Sequence, residues 1–308
     1  MNELPLGDSG ATVSALCLGT MFFGTTVDEE TAFAVLDRYY DAGGRFLDTA
    51  NNYAVWIDEG EGGESEALLG RWMRERGNRD EIFLATKVGG WHDEGLGAAA
   101  IARGIEGSLE RLGTDRVDLY YAHVEDRAVP QEETVGAFGE LVTAGKARYV
   151  GCSNAPAWRI ERARGIARAG GGAHYCCVQQ RHSYLLPKPG TDLGRQLPSS
   201  PELLDYCADQ GVGLLAYSVL LGGAYTRDDR PLPDGYAGTD ADARLAVLRA
   251  VAEETGATPN QVVLAWLLRG TPPVIPLIGA SSEDQLAENL GALEVELSPE
   301  QLARLSAA

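Results

Sequence analysis

Along this chain, short solid apolar runs alternate with stretches that carry an apolar residue every third or fourth position. The runs at 15–19, 45–50, 82–87, 117–123, 147–153, 174–180, 212–218 and 273–279 predict strands buried on both faces. Between them the helical period holds. It is carried by Phe33, Leu36 and Tyr40 in 29–42, by Leu68, Leu69 and Trp72 in 64–76, and by Ile101, Ile105, Leu109 and Leu112 in 98–112. Val135, Phe138, Leu141 and Val142 continue it in 132–144. Further helices are predicted over 158–169, 201–209, 241–255, 259–268 and 283–290, and Pro299 opens one more, too late to belong to a repeat. Residues 4–13, with Gly7-Asp8-Ser9-Gly10 at the centre, read as a β-hairpin before the first run.

A strand followed by a helix, repeated from end to end, predicts a closed parallel barrel. The expected fold is α/β, a single (β/α)8 TIM-barrel domain over 1–308 with an N-terminal hairpin and an extra C-terminal helix. A doubly wound open sheet is the alternative. It ordinarily carries a GxGxxG turn after its first strand, and Leu18-Gly-Thr-Met-Phe-Phe-Gly24 has the wrong spacing for one.

The 308 residues are 44% hydrophobic, enough for a sizeable core. Lys and Arg number 26 against 45 Asp and Glu, a formal charge of −19, which argues against nucleic acid or an anionic membrane surface as partner. A phosphate-bearing ligand therefore needs a local basic pocket or backbone N–H donors. No signal peptide or long apolar span is evident, and the five cysteines are odd in number without a CxxC pair, so buried free thiols in a cytoplasmic protein are expected. His92, His174 and His182 lack ligand spacing, and no metal site is expected.

The polar exceptions carry the chemistry. Asp48, Lys87 and His123 end three successive apolar runs, and Tyr53 follows Asp48 by five positions, far enough for its phenol to fold back over a barrel mouth. Function in such a barrel sits at the C-terminal strand ends, where all four fall. An ammonium beside a phenol favours the phenolate, so Lys87 is expected to lower the Tyr53 pKa, with Asp48 holding Lys87 charged and His123 orienting a substrate oxygen. That set reads as a general acid. A structural ion pair between Asp48 and Lys87, or a Schiff-base role for Lys87 in an aldolase-type barrel, stands as an alternative.

Phe46-Leu-Asp-Thr-Ala-Asn-Asn-Tyr53, Ala85-Thr-Lys87 and Tyr120-Tyr-Ala-His123, in that order, resemble the aldo-keto reductase family. The likeness extends to Gly19-Thr-Met21, Gly151-Cys-Ser-Asn154, Gln179, Tyr217-Ser218 with Leu220, and Gly279-Ala-Ser-Ser282 with Gln285, Glu288 and Asn289. It implies metal-free, nicotinamide-dependent reduction of an aldehyde or ketone, or the reverse, with Tyr53 as proton donor. By the same matching Gly19, Thr20 and Met21 lie at the cofactor, Ser153, Asn154 and Gln179 hold the carboxamide, and Tyr217 stacks on the nicotinamide. Ser218, Leu220 and Gly222 line the diphosphate, and Gly279, Ser281, Ser282, Gln285, Glu288 and Asn289 take the adenosine end.

The resemblance favours NADP(H), and Ser281, Ser282 and Gln285 can hydrogen-bond a 2′-phosphate. NAD(H) stays the alternative because the segment where many relatives carry Lys or Arg for that phosphate has Glu283 and Asp284 nearby. Val219 replaces the family's proline, and Arg227 is taken as the basic residue downstream. Asn51, Trp56, Trp91, His92, Val124 and Glu125 are the candidate substrate-pocket residues, a mixture suited to an aryl aldehyde or a hydroxylated carbonyl such as a sugar. The acidic stretch 58–65 reads as a solvated loop. A nucleotide-sensing subunit with little turnover is the other functional class considered.

Overall fold

The computed structural model describes residues 1–57, 60–90 and 95–307. Trp91 and His92, two of the expected pocket residues, lie outside them. The hairpin is β1 (Glu3–Pro5) and β2 (Thr12–Ser14), antiparallel with Leu4 opposite Val13. The barrel strands are β3 (Cys17–Gly19), β4 (Phe46–Asp48), β5 (Phe83–Val88), β6 (Val117–Ala122), β7 (Ala147–Ser153), β8 (Tyr175–Arg181), β9 (Gly213–Tyr217) and β10 (Val274–Ile278). They close in sequence order, β10 pairing with β3, and every pair is parallel. The helices are α1 (Glu29–Asp41), α2 (Glu64–Arg76), α3 (Ala98–Leu112), α4 (Gln131–Thr143), α5 (Ala157–Gly170), α6 (Pro201–Gln210), α7 (Thr239–Thr255), α8 (Pro259–Leu268), α9 (Glu283–Gly291) and α10 (Pro299–Ala307). Among the described residues none is long and apolar enough to cross a membrane.

The closed barrel excludes the open doubly wound sheet. Element edges differ from the pattern where a local bond intervenes. The first barrel strand begins at Cys17, later than its apolar run, because the Ala15 N–H bonds to Asn2 O beside the hairpin. Caps set other ends: the Asp28 side chain accepts from Thr31 N at the start of α1, and Thr258 with Gln261 forms a reciprocal capping box on α8.

Alternation along the strands sorts the core into two parts. Phe46, Ala85, Leu119, Tyr121, Cys177, Leu215 and Ile275 fill the barrel interior, whereas Leu47, Leu84, Tyr120, Val178 and Leu214 face the helices. The hairpin closes the lower end, with Leu6 and Val13 joining the interior cluster. Gly7 is required there: its φ is +55°, and a Cβ would stand 2.1 Å from Cys176 O. All five cysteines are buried and unpaired. Counting upward by twos from the interior residues reaches Asp48, Lys87, His123, Ser153, Gln179, Arg181 and Tyr217, and these polar side chains gather at the opposite, upper end.

Candidate active site

Lys87 is the hub. Its Nζ donates to Asp48 Oδ1, to Thr49 O at 2.7 Å and to Tyr53 Oη at 2.7 Å, which occupies all three N–H bonds. Tyr53 Oη in turn donates to Asp48 Oδ1 at 3.3 Å, and Asp48 Oδ2 accepts from Gln179 Nε2 at 2.8 Å. Asp48 and Lys87 are fully buried, while Tyr53 keeps 8% of its surface exposed. The Schiff-base alternative fails on this geometry, because an ammonium with no exposed surface and no spare N–H is not placed to attack a carbonyl.

The backbone around the triad is tied down equally tightly. Thr20, expected at the cofactor, is fully buried, donating from Oγ1 to Asp48 O at 3.0 Å and contacting Ser65 Oγ at 2.8 Å. Its side chain fixes the end of β4. Gly19 and Met21 on either side are half-buried.

The electrostatics correct one expectation. Burial first, then the charge and hydrogen bond of Asp48, hold the Tyr53 phenol well above its ordinary pKa. Lys87 does not reverse this, because its charge is matched by Asp48 in the same dry site. Burial also lowers the Lys87 ammonium, with Asp48 opposing the shift. Tyr53 is therefore a phenol that keeps its proton, held ready for a stronger base.

His123 stands half-buried with its ring 6.0 Å from that of Tyr53 at 78°. Desolvation first, and the Lys87 charge second, push its imidazole down to about 3, so it is neutral at working pH. Its buried Nδ1 has no partner among the described residues. A neutral imidazole beside the phenol can hydrogen-bond an oxygen placed between them.

Asn154, at the end of β7, binds these groups together from a left-handed backbone with φ 52°. Its Nδ2 donates to His123 O at 3.1 Å and Ser153 Oγ at 3.0 Å, and its Oδ1 accepts from Tyr217 Oη at 2.6 Å and Leu197 N at 3.1 Å. Asn154 and Gln179, both expected at a carboxamide, are thus also structural links. The half-buried ring of Tyr217 stands at the mouth, followed by Ser218 and Leu220. At Gly222 and Gly279 a Cβ would meet no atom within 4 Å, so both leave open space there. An aromatic face, serine hydroxyls and open backbone fit a planar ring joined to phosphates.

The residues expected at the adenosine end sit together but are largely self-capping. Gln285 Oε1 accepts from Ser281 N at 2.9 Å and Ser281 Oγ at 3.0 Å, and Ser282 caps α9. Glu288 Oε1 accepts from Thr258 Oγ1 at 2.8 Å, and Asn289 Nδ2 donates to Gly279 O at 3.2 Å. Sequence spacing had suggested no cation here, yet the fold brings Arg38 from α1 to within 3.7 Å of Glu283. Nothing local flags a partner so far away in the chain.

In the connection after β4 Trp56 is 44% exposed, its ring 6.4 Å from Tyr53 in an edge arrangement. Asn51 and Val124 are half-buried nearby in sequence to Tyr53 and His123. Glu125 is paired with Arg159 and Arg127, which removes it from the free polar groups of the pocket. Of the acidic stretch 58–65, positions 58 and 59 lie outside the described residues, and Ser65 and Glu64 already belong to α2.

Comparison with known proteins agrees with this geometry. A sequence model of the Aldo/keto reductase family matches residues 15–308. The chain is 36% identical to norsolorinic acid reductase stcV of Emericella nidulans, over 96% of this chain and 78% of that protein. It is 35% identical to the uncharacterized oxidoreductase YrpG of Bacillus subtilis, covering 98% and 94% of the two chains. With the NADP(+) aryl-alcohol dehydrogenase of Phanerodontia chrysosporium it shares 30% identity over 96% and 83%.

Proposed function

The chain belongs to the aldo/keto reductase family and is an NADP(H)-dependent carbonyl reductase; on that premise we propose that it acts on aryl carbonyls, with Tyr53 as general acid. The single observation that carries the assignment is the Tyr53 hydroxyl, bonded to both Lys87 and Asp48 on a side chain that keeps 8% of its surface exposed. NADPH, when bound, would supply the hydride for the carbonyl carbon. His123 donates a hydrogen bond to the carbonyl oxygen and orients it. As negative charge grows on that oxygen it becomes a stronger base than the phenolate, and Tyr53 gives up its proton. Lys87, donating to Oη, stabilises the phenolate left behind, and Asp48 and Gln179 hold Lys87 and its counter-charge in place. Ser153, Asn154 and Gln179 would hold the carboxamide, Tyr217 the nicotinamide ring, Ser218, Leu220 and Gly222 the diphosphate, and the Gly279 to Asn289 set the adenosine.

A general acid whose pKa is raised stays protonated across the working range. With His123 held at about 3, neither group titrates near neutrality. The expected kcat/KM for reduction is flat from about pH 5 to 9, falling only on the alkaline side as Tyr53 loses its proton. A limb centred near pH 7 to 8 in the reduction profile would show that Lys87 dominates Tyr53 after all.

The aryl preference is supported by the exposed Trp56 ring against Tyr53 and by the relative named for aryl alcohols. Steady-state rates for an aromatic aldehyde, a short aliphatic aldehyde and an aldose test it. The aromatic aldehyde should lead by at least about tenfold in kcat/KM, and Trp56→Ala should remove most of that lead through KM. An aldose that equals or exceeds it would overturn the substrate class. For coenzyme choice, Gln285→Arg adds a cation at the start of α9 beside Ser281 and Ser282. It should raise the NADP(H) to NAD(H) ratio of kcat/KM several-fold, and an unchanged ratio would place the 2′-phosphate elsewhere.

A further inference from the structure

Arg181 ends β8 two residues beyond Gln179 and shares its inward parity, so its guanidinium stands at the barrel mouth. Its side-chain partners among the described residues are neutral. Nε donates to Tyr236 Oη at 2.8 Å, and Nη1 donates to Gln196 Oε1 and to Ser218 Oγ at 3.5 Å. The guanidinium carbon also lies 5.5 Å from the centre of the Tyr236 ring. No carboxylate among the described residues lies within ion-pair distance of it, in a chain where Asp and Glu outnumber Lys and Arg by 45 to 26. Other arginines show the contrast: Arg164 is paired with Asp8 at 2.8 Å, Arg159 with Glu125, and Arg227 with Asp229 at 2.5 Å.

A half-buried guanidinium held only by neutral acceptors leaves part of its desolvation cost unmet, and an anion completes it. Three segments converge on this one cation: the β8–α6 connection through Gln196, the end of β9 through Ser218, and the β9–α7 connection through Tyr236. Tyr217 lies directly opposite Arg181 in the β8–β9 register. In the closed ring β8 stands across from β4, so this cation is on the far side of the mouth from the strand that bears Asp48 and leads to Tyr53. Arg227, matched by position to the family's basic residue downstream of the seventh strand, is exposed and bonded to Asp229 through two nitrogens.

We propose that Arg181 supplies the cation that binds the coenzyme's diphosphate. This rests on the reading that the end of β9 receives the coenzyme. The placement beside Ser218, away from the proton donor, favours the coenzyme over an anionic substrate as the source of the charge.

The test is NADPH binding, followed by fluorescence, in the unaltered chain, Arg181→Gln and Arg181→Lys. Arg181→Gln should weaken NADPH at least about tenfold and flatten the dependence of its Kd on salt, with Arg181→Lys intermediate. Binding of adenosine 2′-monophosphate, which lacks the diphosphate, should be unchanged in both variants, which also shows that they fold. A second arm compares KM for 4-carboxybenzaldehyde and benzaldehyde. An effect confined to the carboxylated aldehyde, with NADPH affinity intact, would assign the anion to the substrate and overturn the proposal. So would unchanged behaviour in both arms. Failure of the unaltered chain to bind NADPH at all would instead strike the underlying functional reading.

Discussion

Tyr53→Phe is expected to lower carbonyl reduction by at least ~10² while leaving NADPH affinity near that of the unaltered chain. The substitution removes one oxygen. That oxygen receives the Lys87 N–H at 2.7 Å and carries the proton that rests on Asp48 at 3.3 Å. The ring itself, edge-on to His123 and Trp56, keeps its place. Binding groups on β7 to β10 are untouched, so the loss should appear in kcat rather than in coenzyme Kd. Single-turnover reduction of an aromatic aldehyde at saturating NADPH measures it. Near-full activity would sink the proton-donor assignment, whatever the family.

Lys87→Met should abolish turnover to a similar degree and also destabilise the protein. Asp48 and Lys87 have no exposed surface, so removing the ammonium strands a buried carboxylate, at a cost of about 3–5 kcal/mol. Gln179 Nε2 still donates to the other carboxylate oxygen, which places the loss toward the lower figure. Adding Asp48→Asn to Lys87→Met removes the stranded charge and should return most of the stability without the activity. Urea unfolding and turnover of the two single variants and the double variant separate these roles. A double variant as inactive and as unstable as Lys87→Met alone would mean that the pair is not the source of the stability loss.

Both expectations began with residues legible in the sequence. Asp48, Lys87 and His123 were visible because each is an ionisable group at the end of a run that is otherwise apolar. Tyr53 was visible because it follows at loop distance. Less legible was how they influence each other. Adjacent strands alone suggested that Lys87 lowers the Tyr53 pKa; the structure raises it, because Asp48 touches both groups and burial exceeds what Lys87 contributes. Gln179 was expected at a carboxamide, and its bond to Asp48, across the barrel from β8 to β4, has no local signature. Thr20 matched a cofactor string, and its bond to the end of β4 has no local signature either.

The charges of the coenzyme region divide in the same way. Arg227 and Arg181 look alike as letters, and position alone matches Arg227 to the family's basic residue. Only folding shows that Asp229 neutralises the first and that the second keeps neutral partners. Arg38 beside Glu283 was hidden for the same reason.

By itself the sequence determined the repeat, the barrel and the strand ends that carry chemistry, since periodicity and residue order are local properties written along one dimension, and the reaction class came through its resemblance to a family. Tertiary structure alone decided which way each pKa moves, which cations are spent on carboxylates and which face the mouth. Those depend on burial and on the sum of neighbouring charges within a few ångströms, and such neighbours come from strands and loops far apart in the chain.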